Sequence, residues 1–331
     1  MVTEGLTRTY NGVNAVDGLN LSVPAGGIYG FLGPNGAGKS TTMKLLLGLT
    51  RPTSGSMSVL GRPVSQRHPL PPGTIGSLIE GPSYYPSLTG KENLAMVASY
   101  LGLASNRVQH ALATVNLVGQ ENKQVKHYSM GMKQRLGIAL ALARQPELLI
   151  LDEPTNGLDP AGIEEVRRLL VELSGEGVTV MVSSHLLDEI DRMASTLGIL
   201  SGGRLVFQGT RAELMERSVP DVLVATPTPQ AVLSPQVLSG RVPTQALAAS
   251  TAAGAPDASA SPNPTAVPVT GAATGPTLTP QGVRIPGMSK EAVAELINRL
   301  VSAGVELYEV RREAQSLEDV FMDLTGRGGV L

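Results

Sequence analysis

The sequence predicts an α/β domain over residues 1–217, with a helical subdomain inserted at about 83–144, followed by a small α+β appendage over 218–331. Three observations carry this. Across the first 217 residues, short runs rich in Ile, Leu and Val alternate with helix-like segments, the pattern of a parallel sheet covered by helices. A glycine-rich turn at 33–40 joins one such run to a helix. Composition then breaks near residue 220: segment 220–286 holds twelve of the 24 prolines, four charged residues (Asp221, Arg241, Asp257, Arg284) and no aromatic.

Taken in order, Ile28–Leu32 reads as a short buried strand and 39–49 as a helix. Between about 83 and 144 the strand signal fades and helices dominate. Runs 148–151 and 178–182 are apolar enough for core strands of a parallel sheet. In the appendage, 222–225 is a strand. The Ala, Pro, Thr, Ser and Gly tract over about 240–281 is expected to be a flexible insertion, because it has too little apolar surface to offset its ordering entropy. Beyond it, 283–285 reads as a strand. Ser289 can cap a helix over 290–303 with apolar positions at Val293, Leu296, Ile297 and Leu300. A strand over 305–310 and a short helix over 316–324 close the chain.

Composition excludes several classes of function. The formal net charge is −2 and aromatics number only ten, seven Tyr and three Phe, so a phosphate-gripping or base-stacking nucleic-acid surface is not expected. With no Cys there is no disulfide, zinc-thiolate or thiol chemistry. No run of eighteen apolar residues exists, and MVTEGLTRTY lacks the pattern of a signal peptide, so a soluble intracellular protein is expected.

The strongest chemical signal is Gly33-Pro34-Asn35-Gly36-Ala37-Gly38-Lys39-Ser40, which matches G-x-x-x-x-G-K-[ST] in full, with Thr41 following. Gly36 and Gly38 let the backbone wrap phosphates with its N–H groups. The helix N-terminus adds its positive dipole end. Lys39 supplies a charge for β- and γ-phosphates, and the Ser40 hydroxyl can ligate Mg²⁺. The second signal is Leu148-Leu149-Ile150-Leu151-Asp152-Glu153, an apolar strand ending in two carboxylates. Asp152 sits where a metal-holding Asp of a phosphate-loop ATPase belongs, and Glu153 can face an attacking water.

With these residues in order, the sequence resembles the ATP-binding cassette (ABC) ATPases over about residues 2–215. Tyr128-Ser129-Met130-Gly131-Met132-Lys133-Gln134-Arg135, about twenty residues before Asp152, is similar to the family's signature motif. Asn156-Gly157-Leu158-Asp159-Pro160 resembles the D-loop, His185 the switch histidine, and Tyr10 the aromatic that stacks on adenine. The resemblance implies ATP and Mg²⁺ as ligands and a head-to-tail pair with a second copy of the chain. Ser129 and Gly131 would face the partner's ATP and Asp159 would link the two sites. It further implies Glu153 as general base, His185 on the γ-phosphate, and a separate multi-helix membrane permease. The chain would then be cytoplasmic and peripheral on the inner face of the membrane.

Two departures stand out. Met130 and Met132 replace residues of the usual Leu-Ser-Gly-Gly-Gln, and Glu80 takes the place of the Q-loop glutamine, with Asn93-Leu94 following at the family's usual distance. Glu80 is therefore expected at the nucleotide as a further Mg²⁺ ligand. Both departures are similar to the ATPase subunits of bacitracin-type and lantibiotic-immunity exporters, which implies export of an antibiotic, peptide or other hydrophobic compound. A non-transport ATPase acting on ribosome or DNA is the alternative. The chain lacks the second cassette, long coiled coils and basic surface that such proteins usually carry. A regulatory module that binds nucleotide without hydrolysis is disfavoured by Glu153 and His185.

Overall fold

The computed structural model describes residues 1–326 except 66, 67, 69, 72, 235, 236 and 238–274. The chain divides into two units, Met1–Glu213 and Leu214–Gly326.

The first unit opens with β1 (Val2–Tyr10) and β2 (Val13–Leu19), an antiparallel pair joined at Asn11-Gly12, both with positive φ. β3 (Ile28–Leu32) leads through the glycine turn into α1 (Lys39–Leu46). The helix stops three residues earlier than expected because the chain turns through Gly48 at φ 71°. β4 (Ser54–Val59), β5 (Arg62–Pro63) and β6 (Ile75–Leu78) follow. The helices α2 (Gly90–Tyr100), α3 (Asn106–Thr114) and α4 (Met130–Leu142) come next. Then β7 (Leu148–Asp152), α5 (Pro160–Gly175), β8 (Thr179–Ser184), α6 (Leu187–Asp191), β9 (Thr196–Ser201) and β10 (Arg204–Gly209) complete the alternation, and the boundary between the units falls within α7 (Arg211–Glu216).

Two sheets result. One is antiparallel, in the order β2-β1-β4-β5. The other has the order β10-β9-β3-β8-β7-β6, parallel from β9 to β6, with β10 antiparallel at its edge. β3, β7 and β8 are buried along their whole length, as continuous apolar strands of a parallel sheet must be. The pleat of β3 sends Tyr29 and Phe31 into a core with Leu6, Val16, Leu19, Met43 and Ile150. Gly30 faces the other way, where a Cβ would lie 2.0 Å from Ile190 of α6.

Of the helices between β6 and β7, α2 and α4 are capped at their first turns. Thr89 and Glu92 form a capping box at α2, and the Thr89 backbone N–H holds the Glu92 carboxyl below its usual pKa. Ser129 caps α4 by accepting from Met132 N at 3.2 Å. Gly137 lets α4 close onto β6: a Cβ there would lie 2.6 Å from Pro82 and 2.8 Å from Leu78.

The second unit holds β11 (Asp221–Ala225), α8 (Pro229–Val232), β12 (Thr277–Thr279), β13 (Gly282–Ile285), α9 (Lys290–Ser302), β14 (Glu309–Glu313) and α10 (Leu317–Thr325). The sheet is antiparallel in the order β12-β13-β11-β14. Its core joins Val222, Val224, Val283 and Ile285 to Val293, Leu296 and Leu300 of α9, with Ile297 partly buried beside them. Ser289 and Ser316 cap α9 and α10. The last strand starts later than expected, at Glu309. Gly304, at φ 71°, ends α9, and Val305 N bonds back to Leu300 O at 3.0 Å, so the first part of the alternating run is consumed by the helix end. The tract expected over 240–281 lies mostly outside the described residues. Its end is ordered differently from expectation, with Thr277–Thr279 paired to β13.

Candidate active site

Two segments of the first unit build the site. The first is the turn between β3 and α1. Gly38 has φ 104°, and a Cβ there would lie 2.3 Å from Ala15 O, so glycine is required on both counts. Gly36 is also left-handed, at φ 79°. Lys39 starts α1 with its side chain only 6% exposed. Its Nζ donates to Gly33 O at 2.6 Å and to Pro34 O at 3.4 Å, so the ammonium lies across the turn. No acidic residue stands in the first turn of α1, so the positive end of the helix is uncompensated there.

The second segment is the pair of parallel strand ends at β7 and β8. Asp152 and Ser183 are register partners. The buried Ser183 hydroxyl donates to Asp152 Oδ1 at 2.6 Å and accepts from Glu153 N at 3.0 Å. Glu153 is held at φ 50°, a conformation a non-glycine residue adopts at a cost of about 1–3 kcal/mol. That conformation places its carboxylate between two partners. Oε1 is 3.3 Å from Lys39 Nζ, and Oε2 accepts from His185 Nδ1 at 2.6 Å.

Around these groups lies a cavity of about 450 Å³. Pro34, Asn35, Gly36, Gly38, Lys39, Ser40 and Thr41 line it, with Ala15, Glu153, Asn156 and His185. The donors fit a polyphosphate: an ammonium, backbone N–H groups at a helix N-terminus, and two hydroxyls. The Ser40 hydroxyl, which lines the cavity, and the carboxylate of Asp152, which is buried next to Glu153 and does not line it, are hard oxygen ligands of the kind Mg²⁺ takes together with phosphate oxygens and water.

The other residues singled out from the sequence lie elsewhere. Gly33 and Ala37 are buried in the body of the turn. Tyr10 ends β1, 42% exposed, with the Arg8 guanidinium 4.3 Å from its ring centroid. The Thr50 hydroxyl at 3.4 Å, and then Arg8, hold its phenol below the usual pKa. Ser129 and Asp159 are exposed caps of α4 and α5, and Asp159 accepts from Gly162 N at 3.0 Å. Gly131, in the first turn of α4, is half-buried.

Glu80 departs from its expected place as a ligand at the nucleotide. It is exposed, does not line the cavity, and pairs with Lys44 of α1. The ammonium of Lys44 is its partner in place of any oxygen ligand of the cavity. Two residues of the site went unmarked in the sequence: Ala15 of β2, which lines the cavity, and Ser183, an unremarkable strand-end serine. Asn156, read in the sequence only as the start of the D-loop, lines the cavity three residues past Glu153. The Ser-Ser-His run after an apolar strand is the one local signal that points to Ser183.

Residues 16–156 match the family model described as ABC transporter. The bacitracin transport ATP-binding protein BcrA of Enterococcus faecalis is 46% identical over 218 residues, 65% of this chain and 71% of that protein. The lantibiotic transport ATP-binding protein SrtF of Streptococcus pyogenes is 42% identical over 205 residues, 62% of this chain and 88% of that protein. Among solved structures, the dimeric post-hydrolysis state of the ATP-binding cassette MJ0796, bound to ADP and Pi, aligns with a TM-score of 0.57 at 25% identity. That alignment covers 63% of this chain and 97% of the other. A phosphate-binding turn set against a glutamate–histidine pair, on a sheet shared with such cassettes and in a sequence this close to transport ATP-binding proteins, leads to one assignment: the chain belongs to the ABC transporter family, as an ATP-hydrolysing subunit related to those of bacitracin and lantibiotic transporters.

Proposed function

We propose that the chain works as a head-to-tail pair with a second copy of itself, hydrolyses Mg-ATP between the two copies, and drives a separate multi-helix membrane permease. The permease would export an antibiotic, peptide or other hydrophobic compound. One observation carries the catalytic part: the Glu153 carboxylate stands at the phosphate cavity between Lys39 and His185. In this reading the phosphate oxygens take over the Lys39 ammonium. That releases Glu153 to accept the proton of a water attacking the γ-phosphate. His185, bonded to Glu153 through Nδ1, has its second ring nitrogen left for the phosphate or the water. Ser40 and Asp152 would hold Mg²⁺, which neutralises charge on the β- and γ-oxygens.

Several features support the pairing. Ser129 and Gly131 lie at the N-terminus of a 13-residue helix, Ser129 is exposed, and neither belongs to this chain's own phosphate cavity. In this reading they would offer donors and dipole to the ATP of the other copy, and Asp159 would link the two sites. The similarity to a cassette solved as a dimer with ADP and Pi supports the same arrangement. No helix among the described residues is long and apolar enough to cross a membrane, which agrees with a separate permease and a peripheral place on the cytoplasmic face. The similar bacitracin and lantibiotic transport ATP-binding proteins support an antibiotic or peptide as the cargo.

The test is Glu153→Gln. The amide keeps the shape but does not accept the water's proton. The variant should bind ATP, lose turnover and run at twice the monomer mass on size exclusion with Mg-ATP. Turnover at the wild-type rate would overturn the base assignment, and a monomer throughout would overturn the pairing.

A further inference from the structure

β7 and β8 are in register only as far as Asp152 and Ser183, and beyond that pair the two chains separate. Glu153 lies on one departing segment and His185 on the other, yet their side chains meet at 2.6 Å. A third carboxylate ties the segments together past the end of the ladder. Glu189, in α6, accepts through the same oxygen, Oε2, from Thr155 Oγ1 at 2.7 Å and from Ser184 Oγ at 3.0 Å. Thr155 is two residues past Glu153, and Ser184 immediately precedes His185. Both donors are buried, at 5% and 2% exposure. Ser184 Oγ also accepts from Leu186 N at 2.9 Å, so the residues on both sides of His185 belong to one network. α6 is itself fixed, because Ile190 packs fully buried against Gly30 of β3.

We propose that Glu189 is a positioning residue for ATP hydrolysis: a single carboxylate oxygen bridges the loop that carries Glu153 and the loop that carries His185, and so sets the contact between them. Without that acceptor, two buried hydroxyls lose their partner, and the bonds of Ser183 and the Glu153–His185 contact itself are left to hold the segments in mutual register. A displacement near 1 Å at a reacting group lowers turnover by up to about 100-fold. Among the described residues Glu189, Thr155 and Ser184 make no hydrogen bond to the phosphate-binding turn, so nucleotide affinity should change far less than turnover. The inference rests on the reading of Glu153 as the base.

The experiment uses the full chain with Mg-ATP and compares Glu189→Ala, Glu189→Gln and the double variant Thr155→Val/Ser184→Ala. Glu189→Ala should lower kcat by roughly 10- to 100-fold while leaving KM for ATP within about threefold. Glu189→Gln should stay within about threefold of the wild-type kcat, because its amide oxygen still accepts both hydroxyls. The double variant should match Glu189→Ala, and adding Glu189→Ala to it should cost nothing further, as expected of groups acting as a unit. Melting curves identify any variant that does not fold. If Glu189→Ala is one, the other two carry the test. Wild-type kcat in Glu189→Ala overturns the proposal. So does a Gln variant as slow as the Ala variant, or a loss that resides in KM. Glu153→Gln run alongside keeps the two readings apart. If it turns over normally, the base assignment fails. If it is inactive while Glu189→Ala is normal, only the positioning role fails.

Discussion

Glu153 and Glu80 stand at the C-terminal ends of neighbouring parallel strands, β7 and β6, and both are held in the left-handed conformation, at φ 50° and φ 58°. Each pairs with a lysine of α1, Glu153 with Lys39 and Glu80 with Lys44. Residue type, backbone and partner type are the same, but the surroundings differ. The Glu153 side chain is 21% exposed, its backbone N–H is bonded to a buried serine, and a histidine shares its carboxylate. The Glu80 side chain is 66% exposed, and its partner Lys44 is 32% exposed. An ion pair screened by water contributes about 0–1 kcal/mol, whereas charges shielded from water act on one another far more strongly. Burial and a third partner, more than the residues themselves, separate the carboxylate proposed as the base from a surface pair.

Matched substitutions test that contrast. The largest difference should come from the two glutamates. Glu153→Gln should lower ATP turnover by about 10²–10⁴-fold, the range of a lost general base. Glu80→Gln should leave it within about tenfold, or ~1.4 kcal/mol on the barrier. A collapse of hydrolysis in the Glu80 variant, with ATP binding intact, would show that Glu80 enters the catalytic centre when nucleotide binds. The lysines come next. Lys39→Ala should weaken ATP binding, measured by calorimetry, by tenfold or more, ~1.4 kcal/mol. Lys44→Ala should leave affinity within about threefold, and an equal loss in both would erase the distinction between them. Ser183→Ala removes one hydroxyl that serves both Asp152 and Glu153 in a buried setting. It should lower stability by about 1–3 kcal/mol in denaturant unfolding and slow turnover more than it weakens ATP binding. The smallest effect should be that of Lys44→Ala on stability, within about 1 kcal/mol and shrinking further in high salt.

The same contrast marks how far the sequence could be read. Strand, glycine turn and helix over 28–46 were legible because the information is contiguous: an apolar run, residues able to adopt positive φ, and a lysine at the first turn. The helix at 290–302 was legible from its cap, Ser289, whose side chain bonds three residues on, whereas the helices between 83 and 144 were expected only as a group, and their bounds and the Thr89 and Ser129 caps came from the structure. The helix end at Leu46 and the late start of the strand at Glu309 were misjudged. In each case a left-handed glycine, Gly48 or Gly304, ends a helix within a run whose apolar pattern continues through it.

By itself, then, the sequence determined the alternation of elements, the phosphate-binding turn, and the presence of acids and a histidine at strand ends, because spacing along the chain sets these. Only the tertiary structure decided that His185 meets Glu153 across 32 residues, that Ser183 meets Asp152 across 31, and that Glu80 turns to Lys44 across 36. It likewise decided that Thr155 and Ser184 converge on Glu189. Those contacts depend on which strands lie side by side and on how deeply each end is buried. Side-by-side packing and burial arise from the fold of the whole sheet, and no local run of residues encodes them.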